Sequence, residues 1–351
     1  MIETLTKEAL NLLKVLIETP SFSSEEDQTA LLIGQWFTSH QITFKRTNNN
    51  VWAKNKLFDS SKKTILLNSH HDTVKPNKGY TKDPFTAEVS EGKLFGLGSN
   101  DAGGCLVSLL AAFTYFYDKQ LKYNLVIVAS AEEESSGPNG LNSMLSEIPP
   151  IDFAIVGEPT QLKLAIAEKG LLVLECKAKG TSGHAAHGNG DNAIYNAMKD
   201  IAWFQQFEFP KISETLGKVK MTVTQIQAGN QHNVIPAHCD FVVDVRVTDA
   251  YTNKEVLDIV KSNVKSEVKA RSLRLNSSSI PKNHPIVKAG IQLGKTTYGS
   301  PTLSDQAVLS CPSLKLGPGD SLRSHTANEF IYVNEIEEGV DFYIKILSEI
   351  L

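Results

Sequence analysis

The stretch TILLNSHHD at 64–72 joins an apolar run to three polar residues whose side chains can bind metals. Similar apolar runs recur further along the chain: NLVIVAS at 124–130, FAIVG at 153–157 and SLKLG at 313–317. Between the first two runs lies AGGCLVSLLAAFTYFY at 102–117, which has the length and composition of a helix. Apolar runs separated by helices are typical of strands buried on both faces of a sheet. The pattern predicts an α/β fold with a mainly parallel sheet flanked by helices.

Helical patterns precede these runs. Residues 5–18 show the apolar spacing of an amphipathic helix. Ser23 and Glu26 fit an S-x-x-E capping box, which predicts that a second helix opens there and continues to about His40.

The middle of the chain has a different order of elements. It comprises strand patterns at 171–178, 219–227 and 239–247, and helical patterns at 192–207 and 253–269. This order predicts a β-α-β-β-α-β unit of the ferredoxin-like type. We therefore expect a small dimerisation or lid domain at 168–278, inserted into a catalytic domain formed by 1–167 and 279–351.

Composition and charge exclude several classes of protein. The 351 residues carry a net charge of −4, which gives no basis for binding nucleic acid or an anionic membrane. The four cysteines are widely separated, so neither a disulfide framework nor a thiolate zinc site is indicated. The N-terminus lacks the features of a signal peptide, and no apolar run approaches ~20 residues. We expect a cytoplasmic protein.

Residues with ligand-forming side chains follow the apolar runs, at the strand ends where open α/β sheets bind their ligands. They are His70, the triplet Glu132, Glu133 and Glu134, then Glu158 and, farther from its run, His325. Asp101 lies instead in a glycine-rich loop, GLGSNDAGG, at the start of a helix. Two imidazoles and converging carboxylates suit Zn²⁺, with Co²⁺ or Mn²⁺ as alternatives. Two metals sharing one carboxylate would form a hydrolytic centre.

Each of these residues alone has a simpler interpretation. Asp101 could cap the helix that follows it, the three glutamates could form a solvated loop, and either histidine could be structural. The joint placement favours the metal site, because four separate segments contribute ligand-type residues to one sheet edge.

The same segments resemble motifs of the co-catalytic zinc amidohydrolases, the family of acetylornithine deacetylase, succinyl-diaminopimelate desuccinylase, aminoacylase and glutamate carboxypeptidase. The resemblance covers nearly the whole chain. The matching segments are HHDTVKP at 70–76, GLGSNDAGG at 96–104, EEE at 132–134, GEP at 157–159 and the final histidine, His325. The second segment departs from the family pattern G-R-G-S-x-D-M-K-G-G at Leu97, Ala102 and Gly103, beside the ligand.

The resemblance implies a centre with two zinc ions per subunit. It assigns the ligands as Asp101 bridging the metals, His70 and Glu158 on one, and Glu134 and His325 on the other. It further implies that Asp72 orients His70 and that Glu133 is the general base. The last assignment depends on register, because a slip of one residue would exchange the roles within the triplet.

The inserted domain also carries family motifs. GTSGHAA at 180–186 resembles G-x-x-x-H-A/S, and NVIP at 233–236 with DVR at 244–246 resembles N-x-I-P…D-x-R. By resemblance we expect a homodimer in which His184 reaches the partner's active site. Arg246 could bind the substrate carboxylate bidentately or form a strand-edge salt bridge. Further candidates for substrate binding are Asn233 and the backbone N–H groups of Gly317 and Gly319.

Within the family, SPTLSDQA at 300–307 and AEKG at 167–170 most resemble the bacterial arginine-pathway deacylases. The expected substrate is N-acetylornithine, with N-acetylcitrulline and N-succinylcitrulline as alternatives. Ser304 and Asp305 would open a helix facing the site, where Asp305 could meet a cationic side chain or cap the helix. Lys169 could meet an anionic or carbonyl group. Other hypotheses are a dipeptide-cleaving metallo-exopeptidase and a metal-free binding protein, and the complete set of ligands disfavours the latter.

Overall fold

The computed structural model describes all residues from Met1 to Leu351. Its helices are α1 (Ile2–Ile17), α2 (Asp27–Ser39), α3 (Gly104–Phe116), α4 (Leu141–Met144), α5 (Ala193–Gln206), α6 (Asn253–Asn263), α7 (Pro285–Gln292) and α8 (Val333–Ser348). In none of these helices is there an apolar stretch long enough to cross a bilayer.

The strands are short, as expected for a mixed α/β chain. They are β1 (Phe44–Thr47), β2 (Asn50–Lys54), β3 (Thr64–His70), β4 (Glu88–Ser90), β5 (Lys93–Phe95), β6 (Asn124–Ser130), β7 (Phe153–Val156), β8 (Leu164–Glu168), β9 (Gly170–Lys179), β10 (Gly183–His184), β11 (Lys220–Ala228), β12 (Val234–Ile235), β13 (His238–Val247), β14 (Glu267–Ala270), β15 (Ser278–Ser279), β16 (Thr297–Ser300), β17 (Ser313–Lys315) and β18 (Phe330–Tyr332). By its internal contacts the chain divides into two compact units. The first comprises Met1–Ile166, Ser279–Tyr298 and Ser304–Leu351, and the second comprises Ala167–Ser278 and Gly299–Leu303.

The first unit is built on a sheet whose strands follow the order β1-β2-β6-β3-β7-β17-β8. The central strands β6, β3, β7 and β17 are parallel, while β2 and β8 pair antiparallel at either side. All seven residues of β3 and of β6 are buried, as their continuous apolar runs predict. Helices α1, α3 and α8 pack against one another. The predicted α/β fold with a mainly parallel central sheet is confirmed.

The second unit contains a four-stranded antiparallel sheet in the order β11-β13-β9-β14. Buried and exposed residues alternate along β9 and β13, so one sheet face is apolar and the other is more polar. Side chains of α5 and α6 join the buried residues of these strands in one hydrophobic cluster. The chain order β9-α5-β11-β13-α6-β14 is the predicted β-α-β-β-α-β order.

The predicted helix at 253–269 is too long. Helix α6 ends at Asn263, and Glu267–Ala270 forms β14, paired with β9. The Asp200 carboxylate accepts hydrogen bonds from the backbone N–H groups of Lys265 and Ser266, at 3.2 and 2.8 Å. These two bonds hold the chain in a turn where the helix would otherwise continue, and the sequence around the turn gives no sign of them.

The predicted capping box is also wrong. Helix α2 begins at Asp27, and Glu26 stands before it without a side-chain capping bond. The Ser23 hydroxyl donates to Asp72 Oδ2 at 2.7 Å instead. The spacing of Ser23 and Glu26 suggested a cap. In the structure Ser23 instead binds Asp72, and Glu26 binds Asn49 and Glu132.

Candidate metal centre

Three side chains from separate segments form one possible ligand group. His70 is the last residue of β3, Asp101 lies in the turn before α3, and Glu158 follows β7. His70 Nε2 lies 3.4 Å from Asp101 Oδ1 and 3.8 Å from Glu158 Oε1. This nitrogen is buried and has no hydrogen-bond partner. An orphaned, buried imidazole nitrogen facing two carboxylates fits a metal ion.

A second group shares Asp101 with the first. It consists of Asp101, Glu134 and His325, whose ligand atoms lie within 4.8 Å of one another. His325 Nε2 is 3.0 Å from Glu134 Oε2 and 3.6 Å from Asp101 Oδ2. The two oxygens of Asp101 therefore face different groups, which is the arrangement of a carboxylate that bridges two cations.

Asp72 links the first group to the acidic triplet. His70 Nδ1 donates to the backbone oxygen of Asp72 at 3.0 Å, which fixes the tautomer and leaves the Nε2 lone pair facing Asp101. The Asp72 carboxylate accepts the backbone N–H groups of Glu133 and Glu134, each at 3.1 Å. One side chain thus positions residues on two neighbouring strand ends.

The three glutamates of the triplet have different environments. Glu132 turns away from the ligand groups, and its carboxylate accepts hydrogen bonds from Ser24 and Asn139. Glu133 Oε2 lies 4.0 Å from His70 Nε2, while Glu134 belongs to the group with His325. Glu133 is therefore beside the ligands without being a member of either group.

The crowding of carboxylates strongly affects their protonation. Burial and the negative charges of Glu158, Asp305 and Glu134 raise the pKa of Glu133 well above its ordinary value. Burial and Asp101 raise the pKa of Glu158 to about 8. For Asp101, burial acts in the same direction, but the hydrogen bond and charge of His70 outweigh it and lower the pKa. Divalent cations would favour the ionised carboxylates, so this donor set suits metal binding.

Glu329 is a site residue that the sequence analysis missed. Its buried carboxylate accepts the backbone N–H groups of Asn100 and Asp101, each at 2.9 Å. Burial and the charge of Asp101 raise its pKa to about 8. The only sequence feature that pointed to Glu329 was its position four residues after His325. An acidic residue in a polar loop is usually just solvated, so this feature was not sufficient.

The two predicted substrate-binding glycines are tightly packed. The Gly317 N–H donates to Thr160 Oγ1 at 3.1 Å, so it is already engaged within the chain. A Cβ at Gly317 would lie 2.5 Å from Cys105 Sγ. Gly319 has a φ of +86°, and a Cβ there would lie 2.5 Å from Asn100 Oδ1. Packing alone accounts for glycine at both positions.

Ser304 and Asp305 have separate roles in the structure. Ser304 caps the short 3-10 turn Asp305–Val308, so the predicted helix is only a turn. Asp305 Oδ2 accepts a hydrogen bond from the Ser130 hydroxyl at the end of β6, at 2.5 Å. Burial raises the pKa of Asp305 to about 6. The negative charge of Asp305 contributes to the raised pKa of Glu133. The helix-capping role belongs to Ser304 and not to Asp305.

The remaining predicted residues belong to the second unit. His184 is on β10, and its Nδ1 accepts the N–H of Ala186 at 3.1 Å. Asn233 precedes β12, and its backbone oxygen accepts the N–H of Ala185. The guanidinium of Arg246 pairs with the Asp244 carboxylate at 2.9 and 3.2 Å, which is the salt bridge considered as its alternative role.

Lys169 lies near other cations of the second unit. Its Nζ donates to the backbone oxygen of Lys218 at 3.3 Å. Burial, followed by the charges of Lys220 and Arg246, lowers the pKa of Lys169. Lys220 and Arg246 are directly paired residues of β11 and β13. Three cationic side chains are therefore close together on this unit, one of them paired with Asp244.

Comparisons with known proteins identify the family of the chain. A family model described as peptidase family M20/M25/M40 matches residues 66–349. An acetylornithine deacetylase of Buchnera aphidicola is 28% identical over 349 residues, covering 90% of this chain and 91% of that protein. The succinyl-diaminopimelate desuccinylase 2 of a Ruegeria species is 25% identical, covering 95% of this chain and 93% of that protein. A dinuclear metal-binding peptidase of Bacillus subtilis has a similar fold, with a TM-score of 0.74 at 16% identity and 98% coverage of both chains.

Proposed function

The chain belongs to peptidase family M20/M25/M40, and from this premise we propose that it removes the acyl group from an N-acyl amino acid. The observation that carries the proposal is the pair of ligand groups sharing Asp101, with Glu133 beside them. Carboxylate and imidazole donors in this number suit a co-catalytic pair of metal ions.

We propose zinc as the metal, with two ions per subunit and Co²⁺ or Mn²⁺ as substitutes. His70, Asp101 and Glu158 would hold one ion, and Asp101, Glu134 and His325 the other. When bound, the metals would lower the pKa of a water molecule and polarise the scissile carbonyl. The mixed nitrogen and oxygen donors support zinc over Mg²⁺ or Ca²⁺, which prefer oxygen ligands alone.

Glu133 is the proposed general base. It takes a proton from water as the water oxygen bonds to the amide carbon, and it delivers that proton to the leaving nitrogen as the C–N bond breaks. Burial and the neighbouring carboxylates raise the pKa of Glu133 in the metal-free chain, and bound cations would oppose this by favouring the ionised base. His184 is proposed to stabilise the oxyanion, because Nδ1 accepts a backbone N–H and Nε2 therefore carries the hydrogen.

The free carboxylate of the substrate requires a cationic partner. Arg246 and Lys169 of the second unit are proposed for this role, with Asn233 as an additional donor. Burial, followed by the positive charges of Lys220 and Arg246, lowers the pKa of Lys169, and this group of neighbouring cations supports anion binding. Asp244 already occupies Nε and Nη2 of Arg246.

The proposed substrate is N-acetylornithine, which would place the enzyme in arginine biosynthesis. The similarity to an acetylornithine deacetylase supports this choice. Asp305 supports it as well, because its carboxylate lies near Glu133 and could pair with a cationic side chain. N-acetylcitrulline, N-succinylcitrulline and dipeptides are the competing substrates of the same chemistry.

A substrate panel tests the proposal directly. We expect the zinc-loaded protein to hydrolyse N-acetylornithine with the highest kcat/KM among these four substrates. E133Q should retain its zinc but lose at least about 100-fold in kcat, because the base is removed while the ligands remain. Preference for a dipeptide would instead identify an exopeptidase. No hydrolysis of any member, or E133Q activity within tenfold of wild type with zinc bound, would contradict the proposal.

We also propose a homodimer formed through the second unit. Helix α5 exposes Tyr195 and Met198, and the edge strand β11 exposes Ile226. Exposed large apolar side chains and an unpaired edge strand are both typical of surfaces covered by a second chain. In this dimer His184 would act on the site of the partner subunit.

A further inference from the structure

The acidic triplet is held by an unusual set of contacts. Three consecutive backbone N–H groups, those of Glu132, Glu133 and Glu134, each donate to a carboxylate. Asp72 accepts the last two, and Glu26 accepts the first at 3.1 Å. Asp72 also contacts His70, so its role follows from the metal centre. Glu26 has no such role, and no family motif identified in the sequence includes it.

Glu26 is fully buried, with a relative exposure of 0%. Its Oε1 accepts the N–H of Ser24 at 2.6 Å as well as that of Glu132. Its Oε2 accepts the Asn49 side-chain amide at 2.7 Å. It makes no side-chain capping bond to α2, although it stands directly before that helix. A buried carboxylate is costly unless its hydrogen bonds are satisfied, and these are directed at the triplet and the segments that support it.

Glu132 is the residue that Glu26 holds in place. It has a φ of +54°, a left-handed backbone conformation that residues other than glycine rarely adopt. Its carboxylate accepts hydrogen bonds from the Ser24 hydroxyl and from the backbone N–H and side-chain amide of Asn139, at 2.9–3.0 Å. A Cβ at Gly137 would lie only 2.0 Å from Glu132 Oε2. These contacts hold both the backbone and the side chain of Glu132 in place. The backbone turn at Glu132 in turn sets the direction of the Glu133 side chain.

We propose that Glu26 is a positioning residue for the general base Glu133. It acts through the Glu132 N–H and thereby keeps the triplet in the one turn that separates the base from the ligand Glu134. This inference rests on the proposed function, since it requires Glu133 to be the base. The orientation of a catalytic group matters strongly, because a displacement of about 1 Å can cost 100-fold in rate.

The test compares E26A with E26Q and with a matched control. E26A should lower kcat 10- to 100-fold with KM within threefold and with zinc content unchanged, because the base is displaced while ligands and substrate contacts remain. E26Q should raise kcat at least threefold above that of E26A, because its Oε1 can accept the same two backbone N–H groups while its NH2 group loses only the contact with the Asn49 amide. D152A is the control: it removes a carboxylate that accepts the backbone N–H of Thr64, at the end of β3 opposite His70. Its kcat should stay within twofold of wild type.

Three results would overturn the proposal: folded E26A with kcat within twofold of wild type, a rise in KM that accounts for the loss, or E26Q no better than E26A. If E26A does not fold, E26D replaces it. The shorter carboxylate keeps the charge but cannot reach the Glu132 N–H from the same backbone position, so the same tenfold or greater loss is expected.

A separate readout distinguishes this proposal from the proposed function. Hydrogen exchange of the amides at 131–134 should be at least tenfold faster in E26D than in wild type, and unchanged exchange contradicts the anchoring. If wild type hydrolyses no substrate of the panel, the proposed function fails, and the exchange rates alone then decide whether Glu26 holds the triplet.

Discussion

His70 and His71 are neighbours in the chain, but they have opposite chemistry. His70 faces the ligand groups with an unpartnered Nε2. His71 Nε2 donates to the backbone oxygen of Asn49, and its Nδ1 therefore accepts the Thr29 hydroxyl, both at 2.9 Å. Burial lowers the pKa of His71 to about 4, so the neutral ring is part of the folded structure. The position left open by the family motif thus carries a structural histidine.

The buried neutral ring predicts a specific loss of stability in acid. Below about pH 6.5 the unfolded chain binds a proton at His71 that the folded chain does not bind until the pH approaches 4. The free energy of unfolding therefore falls as the pH decreases through this window. At pH 4.5 this contribution should reach roughly 2–3 kcal/mol. Urea unfolding of chelator-treated protein between pH 7 and 4.5 should show that H71Q, which lacks this titration, loses correspondingly less stability than wild type. Equal losses would contradict the prediction.

At the scale of single residues, the sequence pointed to the proposed ligands far better than to the residues that support them. Each of His70, Glu134 and Glu158 follows an apolar run within a few positions, so the strand ends predicted where they meet. Glu26 and Glu329 act on segments more than a hundred residues away. Neither lies at the end of a predicted sheet strand, and only the folded chain reveals which backbone N–H groups they bind.

The loop before α3 carries Asp101, the proposed bridging ligand. Glu329 binds two consecutive N–H groups of this loop, including that of Asp101 itself. E329A would leave both unpaired and free the loop, so we expect a 10- to 100-fold lower zinc affinity, as for other residues that support ligands. E329Q retains an acceptor oxygen and should stay within about threefold of wild type. Competition with a chromophoric chelator measures both constants. Equal affinity of folded E329A and wild type would show that the loop does not need this contact.

The predicted bounds of helices were wrong where a contact with a residue distant in sequence ends the helix. The periodicity of 253–269 is continuous, and only the Asp200 carboxylate shows why the chain turns after Asn263. The buried strands β3 and β6 were predictable because burial on both faces leaves a continuous apolar record in the sequence. Strands β4, β5 and β18 form a small sheet of three-residue strands, too short to show a pattern.

At the scale of the whole molecule, the proposed dimer makes a complementation prediction. H184A and E133Q should each be nearly inactive alone. When the two proteins are unfolded and refolded together in equal amounts, hybrid dimers would contain one site with both Glu133 and a His184 from the partner subunit. Activity should return to about a quarter of the wild-type value if the dimer is symmetric and His184 acts across it. No recovery, with hybrids shown to form, would place His184 in its own subunit's site.

The first unit is assembled from segments that flank the second unit in the chain. His70, Asp101 and Glu158 precede the second unit, while His325 follows it. Ribosomes add about 5–20 residues per second, so on the order of ten seconds separate the synthesis of Glu158 from that of His325. The nascent chain therefore carries one complete ligand group well before the other can exist. The order of synthesis makes the second proposed ion position dependent on the last part of the chain, and a chain released before His325 would lack a proposed ligand of that position.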